Sequence, residues 1–157
     1  MFSPAAVYPV KANGRIFLVT PERKTYALDA ATGEQLWVSA GGRESVALSP
    51  DRSTVYVKTM FDSVQAYSTE SAESEKRWEV RPGFGYEIGP TPCACSADGR
   101  LLFVPTDKGN LFCLNAADGA PLWKHKISVA MLNNILPLPD NQLLVSTMDG
   151  VVTLLQY

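Results

Sequence analysis

Three cysteines, one histidine and a scatter of aspartates are the residues of this 157-residue chain whose types and spacing could do chemistry. Cys93 and Cys95 are two apart, so on a β-strand both thiols leave the same face. That spacing suits a metal or redox pair. A tetrahedral shell needs further thiolates or imidazoles, however, and the sequence holds neither a second Cys-x-x-Cys nor a His-x-x-x-His. Free cysteine also fills buried sheets as a small apolar residue, and the balance falls on that reading. With Cys113 the count is odd, which does not describe a disulfide framework.

His125 sits in the alternating stretch Trp123-Lys124-His125-Lys126-Ile127, flanked by two lysines. It reads as a surface residue of an outer strand. With no second histidine, neither a Ser-His-Asp nor a Cys-His arrangement has a spare part. No Gly-x-Gly-x-x-Gly, Walker loop or His-Glu-x-x-His occurs. Asp29, Asp62, Asp98, Asp107, Asp118 and Asp149 all fall at turns, and turn formation accounts for them better than converging calcium ligation. The expectation is therefore no catalytic residue, no metal ligand and no cofactor site.

The elements that must carry these residues repeat. Ala27 to Trp37 reads ALDAATGEQLW and Cys113 to Trp123 reads CLNAADGAPLW, with Gly33 and Gly119 at the same place. A third copy, Ala66 to Trp78, reads AYSTESAESEKRW and is two residues longer. Trp37, Trp78 and Trp123 follow one another at 41 and 45 residues, the period of a four-stranded propeller blade. Each copy is led in by a turn (Asn13-Gly14, Pro50-Asp51, Asp98-Gly99, Pro139-Asp140-Asn141), an apolar strand ending in threonine, and a second strand after a short turn. Helical periodicity is not evident. The fold class expected is all-β: about four four-stranded antiparallel blades, near 5–40, 44–82, 90–128 and 132–157, in one domain, the last lacking its outer strand.

These residues resemble the repeat of the pyrroloquinoline-quinone (PQQ) enzymes, a quinoprotein-like β-propeller family whose pattern is called the tryptophan-docking motif. Ala27, Asp29, Thr32, Gly33 and Trp37 match it; the third copy keeps Gly119 and Trp123, and the second keeps Ala66 and Trp78. The resemblance implies an eight-bladed propeller in the typical enzymes, akin to WD40 and YVTN propellers in architecture. The family's quinone enzymes use adjacent cysteines, a tryptophan under the cofactor and acidic calcium ligands. Here Ala94 separates Cys93 from Cys95, so the resemblance implies the fold and not the quinone. Other relatives use the propeller for protein contacts, as in the bacterial outer-membrane barrel-assembly machinery, or attach it to a hydrolase such as a metallophosphoesterase.

Residue chemistry explains the motif on its own terms. Gly33 supplies a backbone conformation that costs little only for glycine. Asp29 and Thr32 bond turn amides. The tryptophans offer a broad apolar face for the neighbouring blade, so Trp37, Trp78 and Trp123 are expected to be buried at equivalent blade positions. A ligand-stacking platform is the weaker alternative, because the tryptophan period matches the blades.

The stretch Arg81-Pro82-Gly83-Phe84-Gly85-Tyr86-Glu87-Ile88-Gly89-Pro90 is the most unusual in the chain. Arg81, Phe84 and Tyr86 suit a recognition loop on one rim of the propeller, or equally a linker whose rings pack over the core. A net charge of −2 argues against nucleic acid or anionic membrane as partner, and no apolar run approaches a membrane span. The first ten residues do not read as a signal peptide; a periplasmic or other extracytoplasmic setting is implied by the resemblance alone.

The strand count predicts an arc of three complete blades and one incomplete, belonging to a larger propeller with further residues upstream; that the larger protein is bacterial is implied by the resemblance alone. The arc's open ends would invite self-association, face to face or by edge pairing. A compact four-bladed ring is the alternative. Function is expected to be non-catalytic recognition of a protein, of a ligand or of another domain of the parent. The rivals are the C-terminal portion of a PQQ-dependent dehydrogenase and the accessory propeller of a hydrolase.

Overall fold

A computed structural model describes residues 9–42 and 46–157. Every regular element among them is a strand, arranged as four consecutive antiparallel up-and-down sheets. Blade 1 is β1 (Val10–Ala12), β2 (Arg15–Val19), β3 (Lys24–Asp29) and β4 (Gln35–Ala40). Blade 2 is β5 (Val46–Leu48), β6 (Thr54–Lys58), β7 (Val64–Ser68) and β8 (Lys76–Val80). Blade 3 is β9 (Ala94–Cys95), β10 (Leu101–Pro105), β11 (Asn110–Asn115) and β12 (Pro121–Lys126). Blade 4 has three strands, β13 (Leu132–Leu138), β14 (Gln142–Thr147) and β15 (Val152–Gln156). The expected start of blade 1, near residue 5, lies outside the described residues; the described inner strand is Val10–Ala12.

Register sets what each blade shows its neighbours. Val10, Phe17, Ala27 and Trp37 stand directly opposite one another across blade 1. Ala47, Tyr56, Ala66 and Trp78 form the same row in blade 2, and Ala94, Phe103, Cys113 and Trp123 in blade 3. The small third residue lets the tryptophan reach over it to the aromatic: ring centroids are 6.0 Å apart for Phe17 and Trp37, 5.8 Å for Tyr56 and Trp78, and 6.1 Å for Phe103 and Trp123. Blade 4 breaks the rule, with Leu136, Leu144 and Leu154 in the row.

Because side chains alternate along a strand, each row faces the next blade while the intervening residues face the previous one. Three cores result. Blades 1 and 2 share Phe17, Val19, Trp37, Val55, Val57 and Tyr67. Blades 2 and 3 share Tyr56, Val64, Leu102, Val104, Phe112 and Leu114. Blades 3 and 4 share Phe103, Leu111, Leu132, Leu143 and Val145. No described cluster joins blade 4 to blade 1. Blade 2 is covered on both sides, so β6 and β7 are buried at every position, whereas β15 alternates exposed and half-buried.

Candidate functional site

The motif turn is the first candidate, and its geometry is structural. In blade 1 the Asp29 Oδ1 accepts from the backbone N–H of Ala31 (2.8 Å) and Thr32 (2.9 Å), and Gly33 N–H closes the turn on the Asp29 carbonyl (2.9 Å). Those bonds hold the Asp29 carboxyl below the usual aspartate range, the one to Thr32 first. The closing bond recurs from Gly119 to Asn115 (2.8 Å). Gly33 and Gly119 have φ of 76° and 77°, which glycine alone adopts at little cost.

The three tryptophans do not share one environment. Trp37 is buried (6%) against Tyr67, with ring centroids 5.2 Å apart. Trp78 is half-buried, lies on the Gly119 turn of blade 3 and donates its indole N–H to the Ala116 carbonyl at 3.1 Å. Trp123 is 36% exposed, against the expectation that all three are buried. The physical reason is that among the described residues β15 meets no outer strand and Trp123 finds no glycine turn to lie on; it shares an open depression of about 310 Å³ with Leu143, Leu155 and Tyr157. Trp37 also differs, because the Thr69 carbonyl, equivalent to that of Ala116, takes Arg15 Nη1 instead (3.0 Å) and the buried Trp37 Nε1 has no hydrogen-bond partner among the described residues.

The cysteines are packing residues. Cys93 and Cys95 both lie on the core of blades 2 and 3, and burial pushes each thiol up to about 11. Cys113 lies in the core of blades 3 and 4, pushed up to about 12 by burial. They are thiols, not thiolates, at neutral pH. His125 lies on β12, which is exposed at every position, and lines the same open depression as Trp123. No three His, Cys, Asp or Glu residues gather among the described residues. Glu87 and Asp107 do meet, but the Lys58 charge acts on the same buried Glu87, a set that does not suit a calcium ion of the kind the quinone enzymes use. An open cleft of about 810 Å³ between blades 2 and 3 contains Asp51, Asp98, Arg77 and Arg100. Their polar atoms are engaged within it: Asp51 by Ser49 and Ser53, Asp98 by Ser96 and Arg100, and Arg77 by Thr54.

The other end of blades 1 to 3 is different. There the β2–β3 and β6–β7 turns meet the connection running from β8 to β9, because up-and-down strands bring those loops to one face. Phe61 and Tyr86 form an isolated bridge across it, with rings edge-on at 5.9 Å, and both are largely exposed (61% and 54%). The Arg23 guanidinium lies 5.8 Å from the Phe61 ring centre, within cation–π range. Ile88 is exposed beside them in sequence.

This loop is strapped down despite its glycines. Asp62 Oδ1 accepts from Gly83 N–H (2.7 Å) and Phe84 N–H (2.8 Å). Glu87 donates its own N–H to the Met60 carbonyl and accepts from Gly89 N–H (3.0 Å) and Asp107 N–H (2.7 Å). Asp107 Oδ2 accepts from Ile88 N–H (3.1 Å), and Lys108 Nζ donates to the Tyr86 carbonyl (3.2 Å). The loop candidates therefore separate. Phe84 is buried edge-on against Phe112 (6.0 Å) and belongs to the core; Tyr86 and Arg81 stand in solvent. Sequence reasoning missed Phe61 and Arg23. The available signal was a phenylalanine at a hairpin tip, where turn chemistry alone asks for small polar residues.

Repeated four-stranded blades, row-packed tryptophans and a shared turn define a β-propeller of the PQQ-repeat type. The family model described as outer membrane protein assembly factor BamB matches residues 3–87 and again 63–156, and this chain belongs to that family. Among curated proteins it is similar to the quinate/shikimate dehydrogenase (quinone) of Acinetobacter baylyi, 29% identical over 116 residues, covering 71% of this chain and 12% of that protein. It is also similar to the outer membrane protein assembly factor BamB of Moranella endobia, 28% identical over 137 residues, covering 80% and 34%. The chain thus spans a minor part of the length of either relative. Among solved structures it superposes on the computationally designed Ika4 protein (TM-score 0.77, 12% identity, 94% of this chain and 88% of that one). It superposes equally on the designed Ika8 protein (0.78, 12%, 95% and 45%) and on BamB from Moraxella catarrhalis (0.68, 18%, 91% and 43%). These likenesses establish the fold.

Proposed function

We propose that this chain is a non-catalytic propeller scaffold that recognises a protein partner through the face carrying Phe61, Tyr86 and Arg23. The observation that carries the reading is the exposed aromatic pair on a loop held rigid by Asp62, Glu87 and Asp107. Two large rings in solvent forgo burial that a purely structural loop would have taken, and a pre-ordered loop loses little entropy on binding. Aromatic and arginine side chains are the types that dominate interface energetics. Kinship with an outer membrane assembly factor supports both protein binding and an extracytoplasmic setting. No helix among the described residues is long and apolar enough to cross a membrane.

The test is capture of partners from a bacterial envelope fraction by the parent protein and by a Phe61→Ala, Tyr86→Ala double variant. Loss of a specific partner with an unchanged melting temperature supports the proposal. Equal capture by both proteins sinks it.

The similarity to a quinone-dependent dehydrogenase keeps one second reading in play, a propeller portion of such an enzyme. Titration with pyrroloquinoline quinone in the presence of calcium separates the two. Tight binding by this chain favours the dehydrogenase reading.

A further inference from the structure

Two sheet faces carry blade-packing residues with no described blade on them. The first is on blade 1. Ile16 and Leu18 of β2, with Tyr26 and Leu28 of β3, point away from blade 2. The equivalent positions of blade 2, Val55, Val57, Gln65 and Tyr67, are all buried against blade 1, and those of blade 3 are buried against blade 2. In blade 1 all four are only half-buried. Next to them the Gly33 turn is built like the one under Trp78, yet no atom of the described residues lies within 4 Å of where a Cβ would be.

The second face is on blade 4. Its row is Leu136 (48% exposed), Leu144 and Leu154 (55% exposed), with Val152 (67% exposed) on the same side. Leu154 stands where the complete blades have Ala27, Ala66 and Cys113. A leucine there supplies bulk that a tryptophan reaching over from the outer strand supplies elsewhere. Both faces are apolar and uncharged along these positions, and monomers rarely leave such surface bare.

We propose that a second copy of this chain covers both faces. Blade 4 of one copy packs its leucine row on blade 1 of its partner, and two-fold symmetry repeats the contact, closing one eight-bladed ring from two chains. The contact continues one the molecule already makes three times, row against apolar face, between each pair of successive blades. The curvature fits as well. The chain superposes equally on a designed propeller of about its own length and on 45% of one about twice as long, so two arcs end to end fill one such ring. A closed pair leaves no unmatched face, whereas an open head-to-tail contact would propagate into fibres.

Light scattering on the full 157-residue chain across a concentration series is the test, and a mass of twice 17.1 kDa is the expected result. Leu28→Glu and Leu154→Glu should each shift the chain to the monomer mass. If either variant fails to fold, a cysteine pair carries the test, since the native thiols are buried or half-buried. A Leu28→Cys chain mixed with a Leu154→Cys chain should cross-link under mild oxidation, and the Leu154→Cys chain alone should not. A strictly monomeric parent overturns the proposal and leaves the faces to further blades of a longer polypeptide. Cross-linking of the Leu154→Cys chain to itself also overturns it, in favour of pairing between two β15 edges.

Discussion

Trp78 lies so close over Gly119 that a Cβ added to the glycine would stand 2.8 and 3.0 Å from the indole atoms Cε3 and Cζ3, and 2.7 Å from Val80 Cγ1 beside them. No real Cβ tolerates that approach. Gly33 has nearly the same φ, and no described residue stands within 4 Å of its Cβ position. One motif glycine is thus needed for its backbone alone, and the other for its backbone and for the ring upon it.

The two glycines should separate on mutation. Gly33→Ala should cost about 1 kcal/mol, the strain of a left-handed alanine. Gly119→Ala should cost about 2–4 kcal/mol, since overpacking against Trp78 adds to the same strain. Urea unfolding of both variants measures the difference, and equal costs would show that the seat gives way to a methyl group.

The tryptophans should rank by burial. Trp37→Ala should cost roughly 3–5 kcal/mol, and Trp123→Ala, with a third of its surface already in water, about half as much. Phenylalanine replacements probe the indole nitrogen. Trp78→Phe should lose about 1 kcal/mol for the bond to Ala116, whereas Trp37→Phe should lose nothing on that account, because its Nε1 has no hydrogen-bond partner among the described residues.

Glu87 gives stability a pH dependence of known sign. Burial pushes its carboxyl above the ordinary glutamate value, with the Lys58 charge and the Asp107 and Gly89 amides offsetting part of the rise. A raised folded-state value means that folding takes up a proton. The contribution is full below pH about 4.5 and is lost as pH rises through the folded value. Glu87→Gln keeps the acceptor for those two amides and removes the titration. The parent should therefore lose stability relative to Glu87→Gln between pH 4 and pH 8. Parallel curves of urea midpoint against pH would refute this.

Asp98 and Glu79 act in the opposite sense. Asp98 is held down to about 2, by Ser96 first and then by the amide and guanidinium of Arg100. Glu79 is held down to about 2 by Lys76 first, then by Ser63 and Gln65. Depressed values contribute stability above the unfolded value near 4 that is lost as pH falls through about 2. Both groups are exposed enough that solvent screens the effect. Asp98→Asn should be less stable than the parent at pH 6, and the gap should shrink toward pH 2 in denaturant titrations.

Much of the fold was legible because tryptophan and the threonine-ended strands recur about once per blade, with the motif glycine in two of the three copies, and each is needed for a local reason that spacing reveals. The row from Val10 to Trp37 follows from the alternation of a strand once its register is known. What could not be read were properties of neighbours. Trp123 has the same local sequence as Trp37, but its exposure depends on what blade 4 places opposite it. Phe84 and Tyr86 are two residues apart on a loop, yet one is core and the other surface, because Asp62 and Glu87 fix the loop's path from positions on either side. Phe61 and Tyr86 are 25 residues apart and meet only through a bridge between loops.

The carbonyl that receives Trp78 at one joint receives Arg15 at another, and this has a consequence for detecting such proteins. The socket is main chain and is present whatever the residue; only the plug is written in side chains. A joint can therefore bond a guanidinium where another bonds an indole, and the segment that offers the carbonyl can lengthen its turn and drop its glycine, as that from Ala66 to Trp78 does, while the joint stays fastened. Searches that count plugs will undercount blades in divergent members of this lineage, whereas the tally of strands per period will not.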